Sequence, residues 1–174
     1  RLIYGKGFQD LIQGFSNLDK KIITNTKLLI IGNGDYKEEL EKLSKKLKIN
    51  KNIIFAGEKN EKEVIELLNI TDIFINPSYS EGMPTTVLEA GAIGLPVIAT
   101  DVGGTRELIQ DNQTGILISK KNPDAIASAL EFMLKKQNQK HIKDYAKNLN
   151  MLVNQEYSYD NMINKFVEVY EGIK

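Results

Sequence analysis

Cysteine is absent from the 174 residues. That removes structural disulfides and every cysteine-based metal or redox chemistry, and it fits a reducing compartment. Histidine occurs once, as His141, in a polar helical stretch far along the chain from any other candidate; it reads as a surface residue. No Asp-x-Asp occurs and no His/carboxylate cluster has metal-ligand spacing, so no metal and no cofactor are expected. Only two arginines occur, Arg1 and Arg106, and lysine carries the remaining positive charge. The 23 Lys and Arg balance the 23 Asp and Glu, and without a basic excess nucleic acid is not expected as a partner. We read no signal peptide in these residues and no apolar run long enough to span a bilayer. The expected location is therefore cytoplasmic, or peripheral at the inner face of a membrane through a part missing from this chain. The first residue is Arg rather than Met, inside a motif, which leads us to expect a piece of a longer protein.

What is present alternates. Short apolar runs at 27–32, 52–57, 72–76 and 96–100 read as buried strands, with a weaker one at 115–118. Amphipathic stretches lie between them. Asp35 with Glu38 three residues on predicts a capped helix carrying Leu40, Leu43 and Leu47. Asn60 with Glu63 repeats that signature ahead of Val64, Leu67 and Leu68. Asn122-Pro123 predicts an N-cap followed by proline in the first turn. Strictly alternating strands and helices imply an α/β domain with a parallel sheet covered on both faces. Ligands bind such sheets at the carboxyl ends of the strands. The length suits one domain. Residues 123–174 read as helical, with polar breaks at 136–140 and 154–158. The last helix carries Met162, Ile163, Phe166, Val167 and Tyr170, more apolar surface than one solvent-facing helix needs. It packs either in the core or against a missing partner domain.

The stretch from Ser80 to Ala90 holds the most chemistry. Glu81 falls in a loop, a helix starts at Pro84 or Thr85, and Glu89 lies about 8 Å along that helix at about 1.5 Å per residue. The first amides of a helix have no partner within it and its dipole is positive there, so this is an anion seat. Pro84 donates nothing, which leaves the amides of Met83, Thr85 and Thr86. Two flanking carboxylates suit hydroxyl groups. Two carboxyls about 5–10 Å apart also occur in glycoside hydrolases, but a hydrolase needs no phosphate-binding helix start. Arg1 and Lys6, in a glycine-bearing loop, supply a planar fork and a point charge able to neutralise a diphosphate.

Taken in order, Arg1-Leu2-x-x-x-Lys6-Gly7, Ile31-Gly32-Asn33-Gly34, Phe55-Ala56-Gly57, Glu81-Gly82-x6-Glu89-Ala90, Gly94-Leu95-Pro96-Val97-Ile98-Ala99 and Gly103-Gly104-x-x-Glu107 form a pattern. It resembles the C-terminal, donor-binding half of retaining glycosyltransferases of family 4 (group 1), from residue 1 to about 173. The resemblance implies a Rossmann-like three-layer domain, one half of a GT-B fold, with C-terminal helices. It implies that Arg1 and Lys6 bind the donor diphosphate and stabilise it as it leaves. Glu81, beside the backbone of Gly82 and Met83, would contact the donor sugar. The Thr85 and Thr86 amides would hold phosphate, Glu89 the ribose hydroxyls, and Lys59 would lie where the base packs. Pro84 departs from the glycine of many members and removes one amide donor. Gly103-Gly104 and Glu107 line the cleft or form a structural turn.

The expected partners are thus a nucleotide-sugar such as a UDP- or GDP-sugar, the missing N-terminal acceptor domain, and a saccharide or lipid-linked acceptor. The expected setting is bacterial cell-surface polysaccharide or glycoconjugate synthesis, with this fragment alone inactive in transfer. A non-catalytic nucleotide-sugar module and a nucleotide-sugar epimerase of the same architecture are the alternatives.

Overall fold

The computed structural model describes residues 1–172. Its elements alternate as the apolar runs dictate. A helix α1 (Phe8–Ser16) and a short α2 (Lys20–Asn25) precede β1 (Leu28–Ile31). Then follow α3 (Lys37–Lys46), β2 (Ile53–Gly57), α4 (Glu61–Asn69), β3 (Phe74–Asn76), α5 (Thr85–Ile93) and β4 (Val97–Thr100). The chain continues through α6 (Thr105–Leu108), β5 (Ile116–Ile118), α7 (Pro123–Leu134), α8 (Gln139–Glu156) and α9 (Tyr159–Gly172). All five strands found were legible as apolar runs. The helices α1 and α2 were not anticipated, although Phe8, Leu11, Ile12 and Phe15 recur on one face of α1.

Every strand pairing is parallel. β1 pairs with β2, Leu28 opposite Ile53. β3, β4 and β5 form a second ladder in that order, Ile75 opposite Ile98 and Ala99 opposite Leu117. The middle strand β4 is buried at every position, as a parallel strand covered on both faces must be. Hydrogen bonding divides the expected single sheet in two, but packing does not. Ile30 of the first ladder and Ile98 and Ile118 of the second share one buried cluster with Leu2, Phe15, Leu40 and Ile126. A second cluster joins Val87 and Ala90 of α5 to Val97, Leu149 and Val153. There Gly91 lets two helices meet closely, since a Cβ on it would stand 2.9 Å from both Leu149 Cγ and Val153 Cγ2.

Two expected caps are present. Asn60 and Glu63 form a reciprocal capping box at α4, and Asn122 accepts from the Ala125 amide with Pro123 in the first turn of α7. The third is corrected. Asp35 does not cap α3; the flanking residue is Tyr36, which makes no side-chain cap. A tertiary contact takes over, because the Tyr36 amide donates to the Leu2 carbonyl at 3.1 Å and ties the turn to the start of the chain.

The polar breaks are shorter than expected. The first is a 3-10 turn at Lys136–Asn138, and the second narrows to Tyr157 and Ser158, because α8 runs on to Glu156. Core packing of the last helix is also corrected. No residue of α9 is buried, and Phe166 is 57% exposed, so its apolar stripe faces outward. No helix among the described residues is long and apolar enough to cross a membrane. His141 is exposed, as expected.

Candidate functional site

Three loops meet beyond the carboxyl ends of the strands. The first carries Arg1 to Gly7, the second runs from Pro77 to Pro84 after β3, and the third is Asp101 to Gly104 after β4. Backbone contacts fix their order. The Leu2 amide donates to Asn33 O at 2.8 Å, the Tyr79 amide to Gly5 O at 2.8 Å, and the Gly104 amide to Gly82 O at 2.8 Å. Gly7 is left-handed at φ 69°, and a side chain there would collide with Pro77 O; only glycine takes this turn without strain. The second loop thus lies between the other two.

That sandwich brings two of the expected site residues into contact. Lys6 Nζ donates to Glu81 Oε1 at 2.8 Å. The lysine side chain is 37% exposed and the glutamate 13%, so the pair is half sheltered. Burial alone would raise the Glu81 carboxyl. Hydrogen bonds from Lys6 and the Ser78 hydroxyl, and the Lys6 charge, outweigh that and hold it below the usual glutamate range. Asn76 adds least, since its buried Nδ2 has no hydrogen-bond partner of good geometry.

The helix start lies on the same loop. Pro84 is the N-cap of α5 and makes no side-chain cap. Its carbonyl takes the amides of Val87 and Leu88. The amides of Thr85 and Thr86 have no protein acceptor among the described residues, and both threonines, Gly82 and Met83 are exposed. Exposed, unpaired amides at a helix start are the physical requirement for an anion seat. Glu89 follows within the same helix and is exposed as a residue. Partial desolvation, and then the charge of Glu61, push its carboxyl above the usual range.

Two further expected residues are Arg1 and Lys59. Arg1 is exposed beside the Gly32–Gly34 turn. Lys59 donates to Glu63 Oε1 at 2.9 Å, so its ammonium is committed to the start of α4. Arg106 and Asp101 form a two-pronged surface pair. Among the described residues no group of three or more His, Asp or Glu converges on a possible metal position.

Sequence reasoning missed Tyr79 and Thr100. The Tyr79 hydroxyl donates to Asp10 Oδ2 at 2.7 Å and accepts from Gln9, which ties the second loop to α1. Burial and Asp10 push that hydroxyl far above its ordinary pKa. Thr100 Oγ1, at the end of β4, donates to Ser78 O. No spacing rule signals either contact, because each joins segments distant in sequence.

Comparisons with known proteins show the family and the fold. The family of glycosyl transferases group 1 matches residues 1–149. An uncharacterized glycosyltransferase of Methanocaldococcus jannaschii is 33% identical over 172 residues, which is 98% of this chain and 43% of that protein. The crystal structure of the C-terminal domain of a group 1 family glycosyl transferase from Francisella tularensis superposes with a TM-score of 0.82 at 30% identity, covering 91% of this chain and 83% of that one. Anabaena HepE, crystallised in complex with UDP, superposes with a TM-score of 0.90 at 20% identity, covering 99% of this chain and 47% of that one; at that identity the likeness concerns the fold. The chain spans less than half the length of the archaeal relative and of HepE. With its family match over residues 1–149 and its likeness to that C-terminal domain, this chain belongs to the group 1 glycosyl transferases and has the fold of the C-terminal half of their GT-B architecture.

Proposed function

We propose that residues 1–174 form the donor-binding domain of a retaining glycosyltransferase, which moves a sugar from a nucleoside-diphosphate sugar to an acceptor held by an N-terminal domain outside this chain. The observation that carries this reading is the Lys6–Glu81 pair set beside the unpaired amides that open α5. Breaking the sugar–phosphate bond leaves a nucleoside diphosphate with added negative charge. In this reading Lys6, Arg1 and the Thr85 and Thr86 amides receive that charge. Preorganised donors of this kind are each worth about 3–4 kcal/mol in a transition state. In this reading the neutralising charge comes from the chain's own cations and helix dipole, with no metal.

Glu81, ionised and anchored, accepts hydrogen bonds from sugar hydroxyls. Glu89 accepts from the ribose. Lys59 flanks the base with its aliphatic stem, its ammonium held by Glu63. The outward stripe of α9, Met162, Ile163, Phe166, Val167 and Tyr170, covers itself against the N-terminal domain. The relatives' greater length leaves room for such a domain. The acceptor is a saccharide or lipid-linked saccharide of a cell-surface polymer, met in the cytoplasm or at the inner membrane face.

Titration calorimetry of the 174-residue chain with UDP, GDP and ADP tests the reading. One of the three binds, and transfer appears only when the N-terminal domain is supplied. No binding by any of them at millimolar concentration overturns it. Product analysis with a labelled donor separates transfer from epimerisation.

A further inference from the structure

The Gly103-Gly104 turn belongs to none of the roles above, and its placement is unusual. It lies directly against the backbone of the loop that carries Glu81. The Gly104 amide donates to Gly82 O at 2.8 Å. A Cβ on Gly103 would collide with Glu81 O, and one on Gly104 with Gly82 O. Both obstacles are main-chain carbonyls, so no flexible side chain can yield. The two glycines differ in one respect. Gly103 is left-handed at φ 51°, whereas Gly104 has φ −74° and ψ 3°, a conformation open to any residue. At Gly104 only the close approach demands glycine.

The Glu81 loop is held from three other directions. Thr100 Oγ1 grips Ser78 O, Gly5 O takes the Tyr79 amide, and Lys6 takes the carboxylate itself. The Gly103-Gly104 turn bears on Glu81 and Gly82 themselves, from the loop that follows β4. We infer that Gly104 is a positioning residue: its bare backbone, hydrogen-bonded to Gly82, sets the Glu81 carboxylate at the depth where it meets the donor sugar. The inference rests on the donor-binding reading, and it makes the turn a determinant of sugar recognition rather than of nucleotide affinity. A methyl group at position 104 must push Gly82 and Glu81 outward, and displacements approaching 1 Å cost up to about a hundredfold at a preorganised site.

The test uses Gly104→Ala, Glu81→Gln and the double variant of the 174-residue chain. Each is titrated with UDP and UDP-glucose, GDP and GDP-mannose, and ADP and ADP-glucose. The readout is the ratio of the Kd of the sugar conjugate to that of its diphosphate. Gly104→Ala raises this ratio about tenfold and changes the diphosphate Kd less than about threefold. In the Glu81→Gln background it adds nothing, because its effect passes through that carboxylate. An unchanged ratio in Gly104→Ala, or effects that multiply in the double variant, overturns the inference and leaves the donor-binding reading standing. Absence of binding to every wild-type pair defeats both. Should Gly104→Ala fail to fold, Thr100→Val carries the same test. It releases the same loop at Ser78 O with little change of volume, and it must raise the ratio in the same Glu81-dependent way.

Discussion

Lys6 and Glu81, 75 positions apart in sequence, meet at 2.8 Å through Nζ and Oε1. The pair needs two independent loops in contact: the turn before α1 and the loop after β3. It joins a point charge to a carboxylate whose ionised form burial would otherwise disfavour.

Lys6→Met removes the cation and keeps the stem. The Glu81 carboxyl, held low in the folded chain, then rises. A lowered carboxyl pKa stabilises the fold above the unfolded carboxyl range and loses that contribution as pH falls through the folded value. Lys6→Met is therefore less stable than wild type at pH 7, by about 1 kcal/mol for a pair this exposed. The gap closes in acid, once Glu81 is protonated in both. Urea unfolding at several pH values measures it; a gap that persists at pH 2 contradicts the assignment. Nucleoside diphosphate affinity falls at least tenfold in the same variant, about 1.4 kcal/mol.

Glu89→Gln separates binding from stability. The Glu89 carboxyl is raised by desolvation and by Glu61, so its ionisation opposes folding. Such a group supports the fold fully below its unfolded pKa and loses that support as pH rises through the folded value. Glutamine has no charge to desolvate. Glu89→Gln melts slightly above wild type at pH 7, by about 1–2 °C, with no difference near pH 3. It also binds nucleoside diphosphate about tenfold more weakly, through loss of the ribose acceptor. A lower melting temperature at pH 7 with wild-type affinity would falsify both halves.

Phe166→Ser tests the outward face of α9. Phe166 is 57% exposed, so the substitution changes the stability of the 174-residue chain by less than about 0.5 kcal/mol. In a protein that includes the N-terminal domain, the same change costs at least about 2 kcal/mol through loss of a buried aromatic anchor. Equal effects in the two contexts show that α9 docks nothing.

Much of this was legible in the chain itself. The five strands announce themselves as apolar runs because parallel strands are buried on both faces. The caps at Asn60 and Asn122 are legible because capping is local chemistry within four residues. The loop-to-helix step at Pro84 follows from helix geometry, and the candidate roles of Glu81 and Glu89 are what the family resemblance implies. Asp35 shows the limit of local signals, since its turn was captured by the Leu2 carbonyl, a partner far away in sequence. The apolar stripe of α9 shows another. Periodicity reveals that a helix has an apolar face, but not which surface covers it.

The sequence by itself determined the fold class and the family and nominated the candidate site residues, because periodicity, capping and motif order act over short range. Only the tertiary structure decided that Lys6 pairs with Glu81 and that Gly103-Gly104 bears on the Glu81 loop. Each is a contact between backbones or charges brought together when strand ends converge, and no local spacing encodes where separate loops will touch.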